Sequence, residues 1–168
     1  MSDSIVIMGV AGCGKSSLGR AVAQLTGLRL IEGDDHHSPE SLAKMSQGIA
    51  LTDADRDGWL GRLSAELRAH PGGLVLTCSA LKRSYRERLR LAAPGLRFVY
   101  LEISRAQSQA RVQARAATHF FSTSLVDSQF AALEPPTGEA GVLNVDALAP
   151  ISQLQAEVTA WLGTKERA

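Results

Sequence analysis

The residues Gly9-Val10-Ala11-Gly12-Cys13-Gly14-Lys15-Ser16 match G-x-x-x-x-G-K-[ST] in full. The chemistry served by this spacing is the grip on a polyphosphate. Glycines let the backbone curl until its N–H groups face inward, and the N-terminus of the helix that follows adds partial positive charge. Lys15 is placed to reach the β- and γ-phosphates, and the Ser16 hydroxyl to ligate Mg²⁺. Residues Gly9 to Ser17 therefore form a candidate site for a nucleoside triphosphate. Cys13 lies inside this loop, near a helix N-terminus, where a thiol pKa tends to fall. Two readings stand: a small side chain that points away, or a thiol whose alkylation blocks nucleotide binding.

Three further stretches carry groups that can complete phosphoryl transfer. Gly33-Asp34-Asp35-His36-His37 offers carboxylates, one of which can take the proton of an attacking hydroxyl and hold a metal-bound water. An exposed acidic turn with surface histidines is the plain alternative. Cys78-Ser79-Ala80-Leu81-Lys82-Arg83-Ser84-Tyr85-Arg86 places small residues first and then cations at the start of a helix. Cations there oppose the helix dipole, which points to an anionic ligand such as a carboxylate, the alternative being a solvated basic face. Arg111 and Arg115 stand four residues apart, so one helix face can aim both guanidinium groups at a triphosphate.

The elements that must position these groups are legible as alternating apolar runs and amphipathic stretches. Strands are expected at Ser4–Met8, Leu28–Ile31, Leu74–Thr77, Leu96–Leu101 and Val142–Val145. Helices are expected at Lys15–Thr26, Pro39–Gln47, Asp53–Ala69 with Thr52 as N-cap, Leu81–Ala92, Ser104–Ala117, Leu125–Leu133 and Ile151–Leu162. Alternation of this kind means an α/β fold, a parallel sheet with helices on both faces, and ligands bound beyond the carboxyl ends of the strands. Each chemical stretch above follows an expected strand or lies on the helix after one. The 168 residues suit a single domain, 1–168.

A net charge of +1 gives no general case for nucleic acid or an anionic membrane, and no apolar run approaches a membrane span. The start of the chain lacks signal-peptide features, so the cytoplasm is the expected location and Cys13 and Cys78 are expected as reduced thiols. Of four lysines against fourteen arginines, Lys15 and Lys82 fall within the stretches above and Lys44 within a stretch picked out below on other grounds. The base-reading N-K-x-D of GTPases is absent, and Asp55-Arg56-Asp57-Gly58 falls inside an expected helix. The strand Leu74–Thr77 runs into Cys78-Ser79 without the acid that larger ATPases place there. A compact phosphotransferase fits what is left.

The whole chain resembles the gluconokinases of the small P-loop type, relatives of shikimate kinase and the nucleoside monophosphate kinases. The likeness rests on Met8–Ser16, Gly33-Asp34-Asp35 with His37, Lys44-Met45 with Gly48, and Leu51-Thr52-Asp53 with Asp55-Arg56 and Trp59-Leu60. It continues through Cys78–Lys82 with Tyr85-Arg86, His119-Phe120, and Ser128-Gln129-Phe130 with Leu133–Pro136. The resemblance implies a five-stranded parallel sheet with a lid at about residues 117–126. It implies ATP-dependent phosphorylation of D-gluconate at its 6-hydroxyl, feeding the pentose phosphate and Entner–Doudoroff routes. Lys15 and Ser16 would hold phosphates and Mg²⁺, and Asp34 would deprotonate the acceptor and share the metal. His37, Arg56, Lys82, Arg86 and His119 would meet gluconate. Arg111 and Arg115 would close over ATP, with either as the main phosphate contact. A homodimer is implied as well. A kinase for another hydroxy acid such as shikimate, and a weakly catalytic nucleotide-binding regulator, are the alternatives. Residues Val145–Pro150, after the last strand, are the expected adenine edge.

Overall fold

The computed structural model describes residues 3–115 and 123–163. Five strands form one parallel sheet: β1 (Ile5–Met8), β2 (Arg29–Glu32), β3 (Leu74–Thr77), β4 (Arg97–Glu102) and β5 (Val142–Asp146), in the spatial order β2-β3-β1-β4-β5. The helices are α1 (Lys15–Thr26), α2 (Pro39–Ser46), α3 (Asp53–Ala69), α4 (Arg83–Ala92), α5 (Arg105–Ala114), α6 (Thr123–Ala132) and α7 (Ile151–Leu162). A 3₁₀ turn covers Gly33–His36 directly after β2.

The sheet is buried on both faces, so its central strands are apolar throughout rather than alternating with polar residues. Side chains still alternate between two cores. Val6 lies in register with Leu76 and Phe98 and, with Met8, Leu74 and Tyr100, packs under α3 and α4. Ile5 and Ile7, in register with Val75 and Val99, face α1 and α7. Trp59, Leu63 and Leu67 of α3 are almost fully buried on the first face, and Leu18, Val22, Leu154 and Val158 on the second. One strand displaced by a single residue would exchange the two cores.

Local chemistry sets the ends of the elements. Thr52 accepts from the Asp55 N–H while the Asp55 carboxylate accepts from the Thr52 N–H, a capping box that starts α3. Lys44 also donates to Asp55 at 2.8 Å, foremost among the contacts that bring this carboxyl down to about 2. Ser104 and Gln107 form the same box on α5. The boundaries differ from expectation at two places that matter. The second strand runs one residue further, to Glu32, and α4 begins at Arg83, leaving Lys82 in extended backbone as its N-cap residue.

The sheet and the site meet at Gly33. A Cβ built there would stand 2.3 Å from the Thr77 carbonyl oxygen, so only glycine lets the turn of Asp34 lie against β3. Gly33→Ala is expected to lose about 2 kcal/mol, or roughly 5 °C in Tm, by forcing the turn off the sheet. Thermal unfolding followed by circular dichroism measures it, and an unchanged midpoint would refute this tight packing.

Candidate active site

A cavity of about 740 Å³ opens beyond the carboxyl ends of β1, β2 and β3, a volume suited to small-molecule ligands. Its phosphate-facing wall is the loop between β1 and α1. Gly12 and Gly14 take φ of 77° and 94°, a left-handed backbone that side chains disfavour. The Lys15 ammonium donates to the carbonyls of Gly9 at 3.0 Å and Val10 at 3.2 Å, which holds it at the loop's entrance. Ser16 Oγ donates to Glu32 at 2.8 Å, and the Thr77 hydroxyl donates to the same carboxylate at 2.7 Å. Glu32, Ser16 and Asp34 all line the cavity. Hard oxygen donors few in number suit Mg²⁺, which keeps waters and phosphate ligands and needs no all-protein cage. Among the described residues no group of three or more His, Cys, Asp or Glu side chains converges as a metal site of its own.

The outer side of this loop is tied to three other elements. The Ala11 N–H donates to Gln129 Oε1 of α6 at 2.7 Å, and the Ala11 carbonyl accepts from Ser108 of α5 at 2.7 Å. Arg111 donates to the carbonyls of Gly12 at 3.1 Å and Ala147 at 3.2 Å. The expectation that one helix face aims both arginines at the triphosphate is thereby corrected. The helix α5 ends at Ala114, Arg115 is its C-cap residue, and of the two only Arg115 lies on the cavity wall. Arg111 instead joins the phosphate loop to residues 145–150, the expected adenine edge. Cys13 is buried, and burial pushes its thiol pKa up against the smaller opposing pull of Lys15. The small inward side chain is the reading that the structure favours, not a reactive thiolate. Cys78, also buried, is pushed up to about 12.

On the acceptor wall Asp34 projects into the open cavity, its side chain 85% exposed. His37 Nε2 stands 3.6 Å from Asp34 Oδ1, and the His37 ring stacks on Trp59 with centroids 4.5 Å apart. Trp59 in turn donates from Nε1 to the Gly33 carbonyl at 2.8 Å. The contact with His37 is the foremost influence holding the Asp34 carboxyl below its ordinary range; partial desolvation by the surrounding cavity walls opposes it and Lys15 assists. His37 Nδ1 is buried with no partner among the described residues, and Nε2 is the ring nitrogen that faces Asp34. Arg56 reaches the cavity from α3, donating to Tyr85 Oη at 3.3 Å with its guanidinium over the Tyr85 ring.

Lys82 and Arg86 depart from expectation, because neither lies on the cavity wall. The Lys82 ammonium donates to the two Asp53 oxygens at 2.9 and 3.2 Å, and Tyr85 donates to the same carboxylate. Arg86 is completely buried. Its Nε and Nη2 donate to Glu139, Nη1 to the carbonyls of Ala80 and Leu81, and Nη2 also to the carbonyl of Glu134. Those bonds use all five guanidinium donors. Substrate contact by Arg86 is excluded by this geometry. The cations that open α4 answer internal carboxylates, so the dipole argument found their need for anions but misplaced the anions. His119 and residues 117–122 of the expected lid lie outside the described residues.

Comparison with known proteins joins this geometry to a family. Residues 5–136 match the family model described as "AAA domain". The chain is 43% identical over 144 residues to the gluconokinase of Gluconobacter oxydans, covering 84% of this chain and 80% of that one. It is 40% identical over 149 residues to the thermosensitive gluconokinase of Escherichia coli, covering 86% and 79%. The crystal structure of a gluconokinase from Sinorhizobium meliloti superposes with a TM-score of 0.86 at 46% identity, covering 95% of this chain and 90% of that one. The chain belongs to the gluconokinase family.

Two family stretches far apart in sequence prove to be one structural unit in this gluconokinase fold. The Glu134 N–H donates to the Leu81 carbonyl, its carboxylate accepts from the Arg83 N–H at the start of α4, and its carbonyl accepts from Arg86. Glu134 therefore braces Leu81 and, through Arg86, Ala80, which is held at φ 47°. Sequence reasoning missed Glu32, because the sought acid was placed at the end of β3 and stands instead at the end of its neighbour β2, against Thr77. It also gave no role to Trp59 or Gln129, whose contacts span 26 and 118 residues.

Removing Arg86 leaves the Glu139 carboxylate without that partner and takes a donor from three carbonyls, of which that of Leu81 keeps the Glu134 N–H. Arg86→Met is expected to cost about 3–5 kcal/mol in denaturant unfolding. A loss below about 1 kcal/mol would show that the buried network does not hold this turn.

Proposed function

We propose that the protein transfers the γ-phosphoryl group of ATP to the 6-hydroxyl of D-gluconate. The observation that carries this reading is one cavity in which the phosphate loop faces an open carboxylate, Asp34, with Arg56 on the same wall. Membership of the gluconokinase family supports the choice of acceptor. Asp34 takes the hydroxyl proton as the oxygen attacks phosphorus, and the bond to the ADP oxygen breaks. Lys15 and Arg115 stabilise the charge on the phosphoryl oxygens, and Arg56 pairs with the gluconate carboxylate. Ser16 with Glu32 and Asp34 would hold Mg²⁺, which supplies charge neutralisation between β- and γ-phosphates when bound. Residues 145–150 border adenine. The same reading places the enzyme in the cytoplasm as a homodimer; no helix among the described residues is long and apolar enough to cross a membrane.

The deciding experiment is ADP release from Mg-ATP with D-gluconate, other aldonates, shikimate, glycerate or no acceptor. Stimulation by gluconate above the others is expected. Stimulation by another acid would reassign Arg56 and its neighbours, and ATP binding without stimulation by any acceptor would favour a regulator.

Asp34→Asn is expected to lower kcat by about 10²–10⁴ while ATP binding persists. The base acts as carboxylate and its pKa is depressed, so activity holds throughout the ordinary carboxylate range and falls only as pH drops below it. Wild-type turnover in Asp34→Asn, or an acid limb near neutrality, would remove Asp34 as the base.

A further inference from the structure

We propose that Gln129 is a specificity-determining residue that donates a hydrogen bond from its amide nitrogen to a hydroxyl of the acceptor, an inference resting on the polyhydroxy-acid kinase reading above. Its amide orientation is settled by chemistry. The Ala11 N–H can only donate, so the atom 2.7 Å away must be the carbonyl oxygen Oε1. The two protons on Nε2 are then directed away from the loop. Gln129 lies on the cavity wall, beside Ser128 and in the same cavity as Asp34 and Arg56, and no hydrogen bond among the described residues uses Nε2.

The arrangement moves a donor outward. A phosphate loop presents its N–H groups to the anion, yet the Ala11 N–H is withheld from it and bound to a side chain from α6. The amide accepts at one end and donates at the other, and accepting polarises its N–H bonds. The loop's donor thereby reappears on the cavity wall as a neutral group. A neutral amide suits hydroxyl oxygens, whereas the carboxylate and the phosphoryl group have Arg56, Lys15 and Arg115. A site built to bond a hydroxyl penalises acids that lack it, since the donor would be left unpaired. The second anchor of Ala11, Ser108 on its carbonyl, keeps the residue in place when Gln129 changes.

The test compares initial rates of the wild type, Gln129→Met and Gln129→Glu with D-gluconate and with its monodeoxy derivatives, each lacking one internal hydroxyl. Gln129→Met is expected to raise KM for gluconate about tenfold while ADP affinity stays within about twofold. For one derivative, the one lacking the contacted hydroxyl, the KM values of wild type and variant should coincide. Gln129→Glu retains an acceptor for Ala11 but no donor and adds a charge that repels every acid alike, so it should raise KM for gluconate more than for that one derivative; if Gln129→Met does not fold, this difference is the readout. An equal KM ratio across gluconate and every derivative would overturn the proposal, as would wild-type kinetics in Gln129→Glu; either would confine Gln129 to holding the loop. A wild type that ignores gluconate would instead overturn the functional reading and, with it, this assignment.

Discussion

A backbone curled to aim N–H groups at an anion leaves its other polar groups pointing outward, and each must find a partner. This constraint organises the protein around Gly9–Gly14. Lys15 takes the carbonyls of Gly9 and Val10, Ser108 and Gln129 take the two backbone groups of Ala11, and Arg111 takes the carbonyl of Gly12. The partners come from α1, α5 and α6, so those helices are fixed relative to the loop by hydrogen bonds as well as by apolar packing. Glu32 adds a link through Ser16 to β2 and through Thr77 to β3. A loop built for phosphate thus carries bonds to the elements that must bring the acceptor.

The acceptor half meets the same demand with charge. Ala80 sits in left-handed backbone without being glycine, a conformation that costs free energy unless its surroundings impose it. Arg86 imposes it from below, bound to the carbonyls of Ala80 and Leu81, with Glu139 and Glu134 closing the network. A buried pair is weak evidence for net stability, but it specifies one arrangement, because any slip would strand a charge in the core. Above it the rim cations are also taken: Lys82 by Asp53, and Arg56 by the hydroxyl and ring of Tyr85. Arg56, the one of the two that lies on the cavity wall, is held in place, which lowers the entropy lost when a ligand binds.

His37 and Trp59 show how a site residue and a core residue become inseparable. Trp59 is buried and bonded to the Gly33 carbonyl, His37 lies flat on it, and Asp34 is 3.6 Å from that ring. The orientation of Asp34 therefore depends on α3, a helix with no part in phosphate binding.

The sequence by itself determined the elements, the sheet class and the phosphate loop. Apolar periodicity, caps such as Thr52 and the glycine spacing are local signals, and local backbone geometry obeys them. Asp34 and Arg56 were legible too, from their place after a strand and within a family stretch. Only the tertiary structure decided which polar groups face the cavity. Lys82 and Arg86 read alike as cations opening a helix, yet Arg86 is buried and bonded through all five donors while Lys82 pairs with Asp53. Arg111 and Arg115 share a spacing but not a destination, because α5 ends between them. Glu32 reads as one more residue after a strand until parallel pairing sets it beside Thr77. The reason is physical: a charged or amide side chain bonds whatever partner long-range packing brings within about 3 Å, and no local pattern encodes that partner.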